Sequence, residues 1–180
     1  MNKNIPNYLT TARVILIPFF VIFMITNIGG PASKWIACAI FCVASITDFL
    51  DGYLARKYNL VSNFGKLMDP LADKMLVSAA MICLTEAGRL AGWIVIVIIS
   101  REFIISGIRQ LAADNGVVIA ASYWGKFKTN FQIFMIIMLI IDLGSPVAVM
   151  IENVLIIIAT ALTIISLVDY LVKNKNVIMG

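Results

Sequence analysis

A chain of 180 residues that is 61% hydrophobic and 13% charged, with mean hydropathy +0.97, carries more apolar surface than a soluble domain of this size can hide. The lack of any histidine excludes imidazole metal sites and His-based catalytic triads. A net charge of +4, with no basic run interleaved with aromatics, argues against nucleic acid and suits anionic lipid or an anionic substrate.

The sequence predicts an all-α integral membrane protein, a single domain over residues 1–180 built as a bundle of six transmembrane helices with a short N-terminal interfacial helix. Residues 1–11 form that interfacial segment, with Ile5, Tyr8 and Leu9 apolar among polar neighbours. The first span, 12–28, is long enough to cross and lacks the small-residue cleavage site of a signal peptide. The second covers 35–56. The third, 67–86, is the weakest by hydropathy because Asp69, Asp73 and Lys74 occupy its start, where Pro70 fits a first turn or kinks the helix. The fourth, 91–110, holds Arg101 near mid-depth. Lys126 and Lys128 open the fifth, 127–143, behind Tyr123 and Trp124 as interfacial anchors, and the sixth covers 149–172. Cys38, Cys42 and Cys83 read as small apolar residues of the spans, and Asp142, Glu152 and Asp169 as interfacial groups near span ends.

Ten of the fourteen Lys and Arg map to one side of this layout, and only Lys34 and Arg89 to the other. The positive-inside rule makes the richer side cytoplasmic. Both termini, and the aspartates at the adjoining ends of spans two and three, then face the cytoplasm from the cell membrane.

Those aspartates are the chief clue to chemistry. A carboxylate at membrane depth is costly unless it meets a cation or a watery cavity, and Asp48, Asp51, Asp69 and Asp73 crowd four of them into twenty-six residues. On helices the members of each pair lie about 60° and about 40° apart, so two helices can flank a dinuclear site. Oxygen donors without His or Cys select Mg2+, Mn2+ or Ca2+ over zinc. Gly52 and Gly65 let a ligand approach the backbone closely, and Arg56 suits a phosphate or pyrophosphate.

The pattern Asp48-x2-Asp51-Gly52-x2-Ala55-Arg56-x8-Gly65-x3-Asp69-x3-Asp73 resembles, without gap or substitution, the signature of the CDP-alcohol phosphatidyltransferase family. The resemblance implies that the four aspartates hold two divalent cations, Mg2+ or Mn2+, and that Asp73 is also the catalytic general base. It implies that Gly52, Ala55, Arg56 and Gly65 accommodate the CDP moiety of CDP-diacylglycerol. Pro6-Asn7-Tyr8-Leu9-Thr10 resembles the family's nucleotide-packing segment, which adds Asn7 and Thr10. A homodimer is implied by the same resemblance.

The signature leaves the acceptor alcohol open. Arg101, Arg109, Lys126 and Lys128 form a second group of cations, which suggests an acceptor that is itself phosphorylated. Arg101-Glu102-Phe103, Ser106-Gly107-Ile108-Arg109 and Gly125-Lys126-Phe127-Lys128-Thr129 resemble strings from the family branch that transfers to sn-glycerol 3-phosphate. Other readings stay open: inositol phosphate or phosphatidylglycerol as acceptor, a cation transporter whose carboxylates line an ion path, or a lipid-binding scaffold. Lys126 and Lys128 could be topology anchors only, and Arg109 could pair with Glu102.

Overall fold

The computed structural model describes residues 5–26, 28–57, 63–114, 116–117, 119 and 122–175, with the backbone alone for 5–6, 48–57, 63–67 and 69. The described chain is helical, with no strand: α1 (Ile5–Ile25), α2 (Ser33–Lys57), α3 (Asn63–Glu86), α4 (Gly92–Asp114), α5 (Tyr123–Ile141) and α6 (Pro146–Lys173). A single 3-10 turn, Gly30–Ala32, leads into α2.

The N-terminal segment differs from expectation. From Ile5 onward it joins the first span in one helix instead of forming a separate interfacial element. Its only early helix breaker, Pro6, falls in the first turn, where a missing N–H costs nothing, and no Gly or Pro follows until Pro18.

Asn7–Ile25, Gly30–Thr47, Tyr123–Ile141 and Pro146–Lys173 are long and apolar enough to cross a membrane. At 24 and 23 residues, α3 and α4 run about 36 and 34 Å, also a membrane's depth. They miss the same standard of apolarity because each carries several charges: Asp69, Asp73 and Lys74 on α3, and Arg101, Glu102 and Arg109 on α4. Ionisable groups on helices of a membrane protein mark sites of function.

The chain forms two compact units, Met1–Arg89 and Leu90–Gly180. In the first, α1 packs against α2 and α3, which also meet each other; in the second, α6 packs against α5 and α4. Helices α1 and α2 run antiparallel: Ser33 Oγ donates to Phe23 O (2.6 Å) and Thr26 O (3.2 Å), the rings of Phe20 and Phe41 lie 5.9 Å apart, and Arg13 Nε donates to Ala44 O at 3.3 Å.

The helices are dressed for lipid. Helix α1 buries Thr10, Arg13, Ile17 and Phe20 at helical spacing and exposes Tyr8, Ile15, Phe19 and Ile22. Helix α6 buries Ala148, Glu152, Ala159, Thr163, Ser166 and Tyr170 and exposes Val154, Ile157, Ile164, Ile165 and Val168. Hydrocarbon solvates branched aliphatics as well as a core does, so they gain nothing inside, whereas small and polar residues pack and hydrogen-bond there. On this stripe Glu152 is buried and engaged with a neighbour, on the inward face with Ala148 and Ala159. Asp142, in the left-handed region at φ 46°, ends α5 with its N–H on Met138 O, and Asp169 pairs with Lys173 at 2.6 Å near the end of α6. All three cysteines are free, and Cys38 and Cys83 are buried as small apolar residues.

Candidate active site

Each unit holds one polar centre. In the first unit, residues 58–62 connect the end of α2 at Lys57 to the start of α3 at Asn63. Measured along the helices at about 1.5 Å per residue, Asp51 and Asp69 each lie about 9 Å from that connection, and Asp48 and Asp73 about 14 and 15 Å. By spacing alone, each helix thus carries one aspartate nearer that connection and one farther from it. The antiparallel register of α1 on α2, carried past Arg13 and Ala44, brings Thr10 and Asn7 to roughly the level of Asp48 and Asp51. Thr10 is fully buried and Asn7 half-buried, and both are engaged with neighbours.

Asp73 is half-buried and engaged. Asp48, Asp51, Gly52, Ala55, Arg56, Gly65 and Asp69 are set by backbone in α2 and α3, and their side chains lie outside the described residues. Among the described side chains, no group of three or more Asp, Glu or Cys converges as a metal-binding set.

The second unit supplies side-chain detail. Arg101 on α4 and Lys128 on α5 are 7% and 2% exposed, far less than such residues normally are. Both donate to the same oxygen, Glu102 Oε1: Arg101 through Nη1 at 3.1 Å, Lys128 through Nζ. Arg101 Nε donates to Ser166 Oγ on α6 at 3.1 Å, and that hydroxyl donates to Thr163 O at 2.9 Å. Three helices are thus tied by one network in which two buried cations share the Glu102 carboxylate.

The start of α5 is shaped to this network. Ser122 caps the helix, accepting from the N–H of Gly125 at 3.2 Å. A Cβ at Gly125 would lie 3.2 Å from Arg101 Nη2, so glycine here leaves room for the guanidinium. Tyr123 and Trp124 at the same end are exposed, as anchors at a membrane surface would be, and the Tyr123 ring rests on Phe127.

The structure therefore joins Arg101 and Lys128, while Arg109 and Lys126 stand exposed outside the network. Glu102 pairs with Arg101 and Lys128 instead of Arg109, because Lys128 reaches it from the facing helix. Sequence reasoning missed Ser166 and saw Glu102 only as a possible partner of Arg109. The signal was there: a carboxylate next to Arg101 at mid-helix needs a cation close by, and Lys128 is the buried one.

A family model described as CDP-alcohol phosphatidyltransferase matches residues 3–165. A Bacillus subtilis protein named CDP-diacylglycerol–glycerol-3-phosphate 3-phosphatidyltransferase is 49% identical over 140 residues, 72% of each chain. Proteins of the same name from Rickettsia prowazekii and Haemophilus influenzae are 40% identical over 179 residues and 42% identical over 181. The alignments cover 98% of this chain in both cases, with 98% of the first relative and 96% of the second.

Proposed function

The chain belongs to the CDP-alcohol phosphatidyltransferase family, and we propose that it transfers the phosphatidyl group of CDP-diacylglycerol to sn-glycerol 3-phosphate, releasing phosphatidylglycerophosphate and CMP. The observation that carries the choice of acceptor is the buried network of Arg101, Lys128 and Glu102, whose two neighbouring cations suit a phosphorylated alcohol. The relatives' shared name supports the same acceptor. An uncharged alcohol would give no reason to bury two cations here.

In this mechanism the first unit handles the donor. Asn7, Thr10, Gly52, Ala55, Arg56 and Gly65 accommodate the CDP group, with glycine letting the nucleotide approach the backbone and Arg56 meeting phosphate oxygens. Asp48, Asp51, Asp69 and Asp73 would hold two divalent cations, Mg2+ or Mn2+, since an all-carboxylate donor set fits hard ions. Such a pair, when bound, supplies charge neutralisation at the pyrophosphate and the departing CMP. Asp73 accepts the proton of the acceptor's 1-hydroxyl as its oxygen attacks the phosphorus that bears diacylglycerol. Arg101 and Lys128 hold the acceptor's phosphate and so orient the attack, with Arg109 and Lys126 drawing the anion in from the exposed rim. The bias of basic residues supports a cytoplasmic position for both termini and for the aspartates, in the cell membrane. The family resemblance supports a homodimer.

The direct test supplies purified protein with CDP-diacylglycerol and, in turn, sn-glycerol 3-phosphate, inositol phosphate or phosphatidylglycerol. With Mg2+ or Mn2+ present, phosphatidylglycerophosphate and stoichiometric CMP are expected from the first alone, and EDTA should stop the reaction. Full turnover in EDTA removes the metal from the mechanism, and a product from another alcohol moves the acceptor.

Gly125→Ala probes the acceptor centre without removing a charge. Its methyl would meet Arg101 Nη2 at 3.2 Å and force the guanidinium aside by a few tenths of an ångström. A shift of that size is expected to raise the KM for glycerol 3-phosphate about three- to tenfold. Thermal stability should hold or rise, since Ala is the better helix former by about 1 kcal/mol.

A further inference from the structure

The inward face of α6 carries a polar group that the mechanism above does not use. Tyr170 is 3% exposed, and its hydroxyl is buried without a hydrogen-bond partner among the described residues. Buried hydroxyls are nearly always paired, so an orphan at the edge of a functional cluster asks for a missing partner. Tyr170 follows Ser166 by one turn, on the same face, and Ser166 Oγ is the atom that accepts from Arg101 Nε. Long side chains on a helix lean toward its N-terminus, which carries the phenol back over the turn bearing Ser166.

The chemistry of the surroundings limits what the partner can be. Arg101 and Lys128 offer only donors, and both give to the Glu102 carboxylate. The first N–H groups of α5 also point out of its N-terminal end beside Gly125, whose missing side chain leaves space against Arg101. A phenol can donate as well, and a ligand that takes several donors next to two buried cations is a phosphate.

We propose that the Tyr170 hydroxyl is a further binding residue for the acceptor, donating to an oxygen of its phosphate alongside Arg101 and Lys128. The proposal rests on the function put forward above and extends it to Tyr170, beyond the residues that the family model matches.

Tyr170→Phe removes one oxygen and nothing else. With no protein hydrogen bond to lose, the variant's thermal midpoint in detergent should equal or exceed that of the wild type. A hydrogen bond from the phenol to a charged phosphate predicts a KM for sn-glycerol 3-phosphate raised roughly tenfold or more. The KM for CDP-diacylglycerol should not move, and kcat should stay within about twofold, as expected for a residue that binds the ground and transition states alike. An unchanged KM for glycerol 3-phosphate overturns the assignment, since the hydroxyl is then idle or met by water. A thermal midpoint lowered by several degrees also overturns it, because the hydroxyl then has a protein partner. Wild-type protein that makes no product from glycerol 3-phosphate removes the proposed function and this assignment together. Normal wild-type turnover with an unmoved Tyr170→Phe removes this assignment alone.

Discussion

Asp73→Asn should leave a folded protein whose phosphatidyl transfer is slower by about a thousandfold or more. Asparagine matches the shape of aspartate but neither accepts a proton nor brings a charge. Loss of a general base costs about 10²- to 10⁴-fold by itself. In the proposed mechanism the same residue is a metal ligand, which pushes the loss toward the upper end. The helix should tolerate the change, since Asp73 is half-buried in α3, three turns from its start, and Ala72 and Leu76 carry the adjoining packing. CMP release at saturating substrates measures the effect, with circular dichroism to show that the helices remain. Turnover above a tenth of the wild-type value would take Asp73 out of the reaction.

Glu102→Gln is expected to have the largest effect on stability, a loss of about 3–5 kcal/mol. The side chain keeps its size but loses the charge with which both Arg101 and Lys128 pair inside a buried network. Placement on a long helix of a membrane protein makes the imbalance harder to relieve by water. The prediction has an internal control: adding Lys128→Met removes one of the two cations that paired with Glu102 and should return part of the lost stability. A double-mutant cycle on denaturant titrations of the detergent-solubilised protein measures both. If Glu102→Gln unfolds at the wild-type midpoint, the network is not a charge balance and cannot be what favours a phosphate.

Much of this was legible in the amino acids. The hydropathy pattern predicts six long helices, and six long helices form, with α3 and α4 marked in advance by their charges. The placement of the aspartates, two on α2 and two on α3, follows from residue spacing alone once those helices form. Other features depend on facts that spacing does not carry. Whether Ile5 to Thr11 lies on the membrane or enters it turns on the absence of a helix break, a weak signal beside the polarity of Asn7, Thr10 and Thr11. Glu102 could face Arg109 along its own helix or Lys128 on the next, and only the packing of α5 decides between them. Ser166 and Tyr170 were invisible because a hydroxyl on an apolar helix is ordinary until its neighbours are known. A periodicity test for polar residues, run in place of one for apolar residues, would have found the stripe of Glu152, Thr163, Ser166 and Tyr170.

Helix α6 has the highest hydropathy of the candidate spans, at 2.4, yet its most apolar side chains are the ones that hold nothing in place. Ile157, Ile164 and Val168 meet acyl chains, where one branched aliphatic substitutes for another at little cost. Ala159, with no exposed surface, cannot gain even a methyl without displacing a neighbour. Neutral drift should therefore run fast on the greasy flank and slow on the alanine and hydroxyl flank, the inverse of the pattern in a water-soluble protein. Sequence variation along this helix would then chart which side lipid wets.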